Sequence, residues 1–387
     1  MSGLETTGDE PFLRPFGEHW VLYFPAADRL LVLNPSAKAA WQLLAQGYGR
    51  DEVAALFAEH FGVPIERAGR DVDSLLNDLA GACPPDQRET QPSPTLRGWN
   101  EFPGAGEASC EDCGTYRFGD SVLRIVSSVP EGGSGFFARF QHRAVHGVSS
   151  AELLQISETA ANYRLRFRGS TVEEATTTRL ISRVARLVLD LEHPDAEPMM
   201  FCHAAAVSRN GKGLVMPGDS GVGKSTLCAF LVAHGFAYLA DDSIAIGAED
   251  ARLLPLPTCL SVKSGSWSVL EPFFPVLPEL PVIDRYGRRL RYVRPDGNFA
   301  TMHSAPAPVA LVFPAFATGE QTRLSRLPAL QAMIRLVGAH AALALPPTED
   351  KLERLIRFVE ETPAYELRYS KLPQAMLAVE DLLATCH

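Results

Sequence analysis

Residues 213–242 read GLVMPGDSGVGKSTLCAFLVAHGFAYLADD. The apolar residues 214–216 predict a short buried strand. Gly218, Asp219, Ser220, Gly221, Val222, Gly223, Lys224 and Ser225 then match the pattern G-x-x-x-x-G-K-[ST] in full. A helical pattern follows, with Leu227, Phe230 and Leu231 on one face and Gly235 where a helix stop is expected. A second apolar strand, 237–240, ends in Asp241 and Asp242. Three glycines let such a loop wrap tightly, so that backbone N–H groups point at phosphate oxygens. The positive end of the following helix adds to that field. Lys224 reaches the β- and γ-phosphates, and the Ser225 hydroxyl sits on Mg²⁺. Thr226, the next residue, counts with the loop as a nucleotide contact. ATP and Mg²⁺ are therefore the expected cofactors. Adjacent carboxylates on one strand point to opposite faces, so Asp241 and Asp242 are expected to do different jobs.

The whole chain bounds what surrounds this unit. Its 387 residues suffice for two or three domains with sizeable cores. With 46% hydrophobic and 21% charged residues it reads as an ordinary globular protein. A net charge of −10 argues against nucleic acid as the main partner. The N-terminal MSGLETTGDEPF has no apolar core of a signal peptide, and no apolar run approaches a membrane span. The seven cysteines are odd in number and scattered, as reduced thiols in the cytoplasm would be.

Residues 12–81 read as a separate small module. HWVLYF at 19–24 and RLLVL at 29–33 are two β-prone runs around a turn, PAAD. Three helices follow. Asn34 or Ser36 caps the first, the second runs from Asp51 to a stop at Gly62, and the third begins at Glu66. Two strands and three helices make a winged-helix-like α+β arrangement. Residues 82–108 have a linker's Pro, Gly and polar composition. Cys110 and Cys113 form a lone C-x-x-C, a weak zinc signal that reads better as two reduced thiols at a turn. Residues 109–194 are a β-rich lead-in, with alternating strands at 121–126 and 163–168 and an amphipathic helix at 176–193. FCHAAAV at 201–207 predicts one buried strand holding His203. Residues 195–387 carry an α/β pattern: a strand at 309–313, helices at 329–336 and 350–361, a strand at 365–369 and a closing helix at 373–385.

Two resemblances follow. LNPSAKAAWQLLAQG, DEVAALFAEHFGV and ERAGRDVDSLLNDLA resemble the PqqD-like peptide-chaperone module, which recognises leader peptides of ribosomally made, modified peptides. An extended peptide adding to the sheet edge is the binding mode this implies. His203-Ala204, the loop GDSGVGKS and LADD resemble the catalytic domain of HPr kinase/phosphorylase and its HPr-kinase-related relatives, over about 200–260. That resemblance implies that Lys224 and Ser225 are the loop lysine and magnesium ligand. It makes His203 the active-site histidine and Asp242 the base for the substrate hydroxyl. Asp241 is then left to serve magnesium or structure beside the chemistry, and the second magnesium ligand stays unassigned. The family's downstream Gly-rich signature with its acidic magnesium ligand has no match here, so phosphorylase activity and HPr as substrate are not implied. Arg288, Arg289, Arg291 and Arg294 form a basic run that either stabilises transferred-phosphate charge or is a solvated loop, and Lys263 is a weaker candidate.

The expected fold is thus an α/β kinase core with a β-rich lead-in and a small N-terminal winged-helix-like domain. The expected function is transfer of phosphate from ATP to a Ser or Thr hydroxyl on a precursor peptide or small protein. The alternatives are a nucleotide-gated peptide chaperone that transfers nothing, and a small-molecule hydroxyl kinase. No nucleic-acid or membrane partner is expected, and a homo-oligomer is left open.

Overall fold

The structure, a computed structural model, describes residues 10–25, 28–82, 111–129, 134–159, 162–174, 177–219, 221–256, 258–285, 287–294 and 306–386. Almost all of the expected linker 82–108, together with Cys110 and Ser220, lies outside these residues.

The chain opens with strands β1 (Phe12–Phe16), β2 (His19–Phe24) and β3 (Arg29–Leu33), forming an antiparallel sheet in the order β1-β2-β3. The sequence pattern missed β1, because Pro15 weakens it. Proline is tolerated there because β1 is an edge strand. Helices α1 (Pro35–Ala45), α2 (Arg50–Phe61) and α3 (Ile65–Ala82) follow. The Asn34 side chain accepts from the Ala37 N–H at 2.7 Å and caps α1. Gly62 closes α2 in the left-handed conformation, φ +62°. Leu22, Phe24 and Leu33 pack against Val53, Val72 and Leu75 of these helices.

Next come β4 (Glu111–Phe118), β5 (Ser121–Ser127), the short α4 (Ser134–Phe137), β6 (Glu152–Glu158), β7 (Tyr163–Phe167), β8 (Ser170–Glu174) and α5 (Thr177–Glu192). The five strands form one sheet in chain order. Leu180, Val184 and Val188 of α5 cover it, packed on Phe118, Ile125 and Ile156.

The remaining elements are β9 (Pro198–Cys202), β10 (Ala204–Arg209), β11 (Lys212–Pro217), α6 (Lys224–Ala233), β12 (Ala237–Ala240), β13 (Ile244–Gly247), β14 (Leu253–Leu254), β15 (Leu260–Lys263) and α7 (Trp267–Leu270). They continue with β16 (Ile283–Arg285), β17 (Arg288–Val293), β18 (Pro308–Phe316), β19 (Arg323–Leu327), α8 (Ala329–Gly338), β20 (Ala342–Leu343), α9 (Glu349–Glu361), β21 (Ala364–Tyr369) and α10 (Leu372–Thr385). The central sheet has the order β12-β10-β11-β18-β21-β19, with β11, β18 and β21 parallel. Alternate side chains of β11 and β18 enter different cores. Val215, Leu311 and Phe313 face α8 and α9, while Leu214, Met216 and Val312 face α6 and α10.

The small N-terminal sheet joins the first of these cores. Val21, Tyr23 and Leu30 are at most 1% exposed and pack with Met333, Leu336, Leu352 and Leu355 of α8 and α9. Arg14 pairs with Glu353 at 2.6 Å and with Glu349. Burying each such side chain contributes about 1.5–3 kcal/mol, so this contact is a packed interface rather than a tether. No helix among the described residues is long and apolar enough to cross a membrane.

The run 201–207 is two strands in two sheets, not one. Cys202 pairs with Ile244, whereas Ala204 pairs with Pro217. His203 is the residue at which the chain changes sheets.

Candidate functional site

Strand direction brings the chemistry together. β11, β12, β18 and β21 all end at the same edge of the central sheet, and antiparallel β10 begins there. That edge therefore carries His203, the loop 218–223, Asp241, Phe316 and Tyr369. Ligands bind at such carboxyl edges of open α/β sheets. A cavity of about 1000 Å³ lined by Ser208, Asn210, Gly211, Asp250 and Arg252 holds none of these groups. Its residues Asn210 and Gly211 sit in the β10–β11 turn, at the opposite edge.

The loop conformation needs its glycines. Gly218 and Gly223 have φ of +153° and +100°. A side chain at Gly223 would clash with the Tyr369 hydroxyl and come within 3.1 Å of the Phe316 Cβ. The Tyr369 hydroxyl donates to the Gly223 carbonyl at 3.2 Å, and the Phe316 N–H donates to the Val222 carbonyl at 3.2 Å. The loop is thus clamped from β18 and β21.

His203 ties four segments. Its N–H donates to the Ala339 carbonyl at 3.1 Å, and its carbonyl accepts from the Gly218 N–H at 3.4 Å. The ring Nδ1 lies 2.7 Å from the Asp242 carbonyl and Nε2 lies 3.0 Å from Lys224 Nζ. A carbonyl only accepts and an ammonium only donates, so the proton sits on Nδ1. Burial, then the Lys224 charge, hold His203 below its ordinary range, so the ring is neutral. Lys224 is 3% exposed and also donates to the Asp219 carbonyl at 3.1 Å. Burial lowers its pKa, opposed by the charges of Asp241 and Asp242.

The two aspartates diverge, but not through a strand pleat. β12 stops at Ala240, and Asp242 has φ +71°, so the pair sits in a turn. This left-handed residue costs about 1 kcal/mol, a strain that functional sites often hold. Asp241 is 3% exposed. Its Oδ1 accepts from the Ser225 hydroxyl at 2.9 Å and its Oδ2 from the Ser261 N–H at 3.0 Å. Burial, then the Asp242 charge, push it up to about 6. Asp242 is half-buried, more open to solvent than Asp241.

The segment after β15 touches the start of α6. The Ser266 and Thr226 hydroxyls lie 2.6 Å apart, which fixes Thr226 on the helix side of the loop. Lys263, between Ser261 and Ser266, is close enough for its charge to lower the pKa of both His203 and Lys224. Most of the basic run is strand rather than loop: Arg288, Arg289 and Arg291 lie in β17, Arg294 follows it, and Arg289 and Arg291 stand 5.6 and 4.2 Å over the Trp267 ring. Cys113 belongs to no group of three or more metal-ligating side chains among the described residues.

His203, Lys224, Ser225, Asp241 and Asp242 thus converge with Gly218, Asp219, Gly221, Val222, Gly223 and Thr226. Sequence reasoning missed Ser261, Ser266, Phe316 and Tyr369. No local pattern marks them, since Tyr369 lies 146 positions beyond Gly223.

The fold and site together define a mixed α/β protein whose strand–glycine loop–helix unit carries the pattern G-x-x-x-x-G-K-S, with a small α+β module packed at its N-terminus. Residues 19–83 match the family model described as coenzyme PQQ synthesis protein D (PqqD). Over 103 residues the chain is 36% identical to the HPr kinase/phosphorylases of Bacillus cereus (strain B4264), Bacillus anthracis (strain A0248) and Bacillus thuringiensis subsp. konkukian (strain 97-27). That match covers 27% of this chain and 30% of each relative's length.

Proposed function

We propose that this protein is an ATP- and Mg²⁺-dependent kinase acting on a Ser or Thr hydroxyl of a peptide or small protein, most naturally a precursor peptide held by the N-terminal module. The observation that carries this is the hydrogen-bonded chain from Lys224 Nζ through the His203 ring to the Asp242 backbone. It fixes the loop's cation and a carboxylate-bearing turn in one frame, and phosphoryl transfer consists largely of such positioning.

Each residue has a definite task. The loop N–H groups and Lys224 hold the phosphates. The half-buried Asp242 carboxylate takes the proton as the acceptor oxygen attacks. Neutral His203 orients both partners. The Ser225 hydroxyl and the Asp241 carboxylate fit a Mg²⁺ ion: both are hard oxygen donors, and a buried carboxylate pushed up to about 6 is relieved by a cation beside it. Bound there, Mg²⁺ would neutralise phosphate charge. Two protein ligands suit this ion, which keeps several waters and draws its other ligands from phosphates. Likeness to HPr kinase/phosphorylase over part of the chain supports the reaction class, and the PqqD match supports a peptide as acceptor. An extended peptide adding to an edge of the β1-β2-β3 sheet would be kept at high local concentration beside the site.

The test is initial phosphorylation of leader-bearing Ser/Thr peptides with MgATP, read by mass spectrometry. Asp242→Asn is expected to retain nucleotide binding and to lower transfer by roughly 10²–10⁴-fold. Equal rates from variant and wild type remove Asp242 from the role of base. Nucleotide-dependent peptide binding without any phosphopeptide identifies a gated chaperone instead.

A further inference from the structure

Phe316 is the last residue of β18 and is 50% exposed, although Ala310, Leu311, Val312 and Phe313 of the same strand are at most 4% exposed. β18 lies directly beside β11, on the side away from β10 and β12. Asp241 and Asp242, which follow β12, therefore occupy one flank of the loop and Phe316 the other. The ring is held in place: its backbone N–H bonds to the Val222 carbonyl, its Cβ abuts Gly223, and it packs edge-on to Tyr369, with centroids 5.6 Å apart and planes at 66°. Tyr369 is itself 1% exposed and bonded to Gly223. A solvent-facing aromatic ring is thereby fixed at the rim of the phosphate cradle.

We infer that Phe316 is the platform on which the nucleobase of the bound nucleotide stacks. This rests on the nucleotide reading proposed above. The transferring end of the nucleotide must face Asp242, so the rest of the molecule leaves the loop on the opposite flank, where Phe316 stands. A base offers a π-face to an aromatic side chain whatever its edge, and such stacking is sequence-tolerant. A phenyl ring has neither donor nor acceptor, so this platform reads ring area rather than base identity. It accommodates adenine and guanine alike.

Titration calorimetry in Mg²⁺ with two ligands, ATP and inorganic tripolyphosphate, tests this. Phe316→Ala is expected to weaken ATP about 5- to 150-fold, the usual worth of one stacked base, and to leave tripolyphosphate unchanged. Phe316→Trp should restore ATP binding, which controls for damage to the fold. Lys224→Ala should weaken both ligands. Unchanged ATP affinity in Phe316→Ala, or an equal loss for both ligands, overturns the platform. If Lys224→Ala still weakens both, the nucleotide reading survives that failure. A wild-type protein that binds neither ligand overturns both.

Discussion

Gly223→Ala probes the clamp on the glycine loop. Gly223 has φ +100°, and holding alanine left-handed costs about 1–2 kcal/mol. The new methyl also meets the Tyr369 hydroxyl and sits within 3.1 Å of the Phe316 Cβ. Tyr369 is 1% exposed and cannot swing aside, so a further 1–3 kcal/mol of overpacking is expected, about 2–5 kcal/mol in all. Tyr369→Phe alone loses one hydrogen bond, worth about 0.5–1.5 kcal/mol. In the double variant the hydroxyl is gone. The overpacking against that oxygen, the larger share of about 1–3 kcal/mol, should be recovered, while the backbone strain and the approach to the Phe316 Cβ remain. The singles are therefore strongly non-additive, as contacting residues are. Denaturant midpoints of wild type, both singles and the double give the cycle, and nucleotide titrations of the same four proteins report the loop. Additive losses, with the double no more stable than Gly223→Ala, would refute the steric argument.

Two further outcomes are expected. His142 lies 3.2 Å from the Cys259 thiol, and burial, then the charges of Arg143 and Arg294, push its pKa down to about 4. Cys259, pushed up to about 12 by burial, stays a thiol. The unfolded chain takes a proton on His142 near pH 6.5, so its contribution to stability is complete above that pH and is lost on acidification toward 4. The loss is about 2 kcal/mol after discounting for partial exposure, and denaturant midpoints at pH 7.5 and 4.5 should show it in wild type but not in His142→Gln. Tyr23→Ala removes a fully buried ring from the core shared by the small sheet, α8 and α9, at a cost of about 3–5 kcal/mol. Circular dichroism melts should show the whole chain losing its midpoint together, and an unshifted main transition would mean the module packs too weakly to matter.

Much of the site was legible. The loop, its strand and its helix follow from local composition, and the caps Asn34 and Gly62 stand where their side chains and φ preferences put them. The second interface of the small sheet, read as part of a separate module, had an unused signal in the sequence. Trp20, Val21, Leu22, Tyr23 and Phe24 are apolar without alternation, the mark of a strand buried on both faces. Two readings needed the fold. An unbroken apolar run at 201–207 carries no period, so nothing in it shows the change of sheet at His203. Asp241 and Asp242 looked like a strand pair because residues 237–240 are strand, yet the chain turns at their own left-handed backbone.

The sequence by itself determined what depends on residues a few positions apart: the glycine loop, the helix it starts and the helix ends. These rest on backbone conformation and hydrogen bonds that a handful of neighbours decide. Only the tertiary structure decided what stands around the loop. Phe316 and Tyr369 reach it from β18 and β21 because strand order and direction bring those ends to one edge, and Ser261 reaches Asp241 from β15 of a neighbouring sheet. Strand order is a property of the whole chain, settled by which pairing buries both faces of the sheet at once, and no local window contains that comparison.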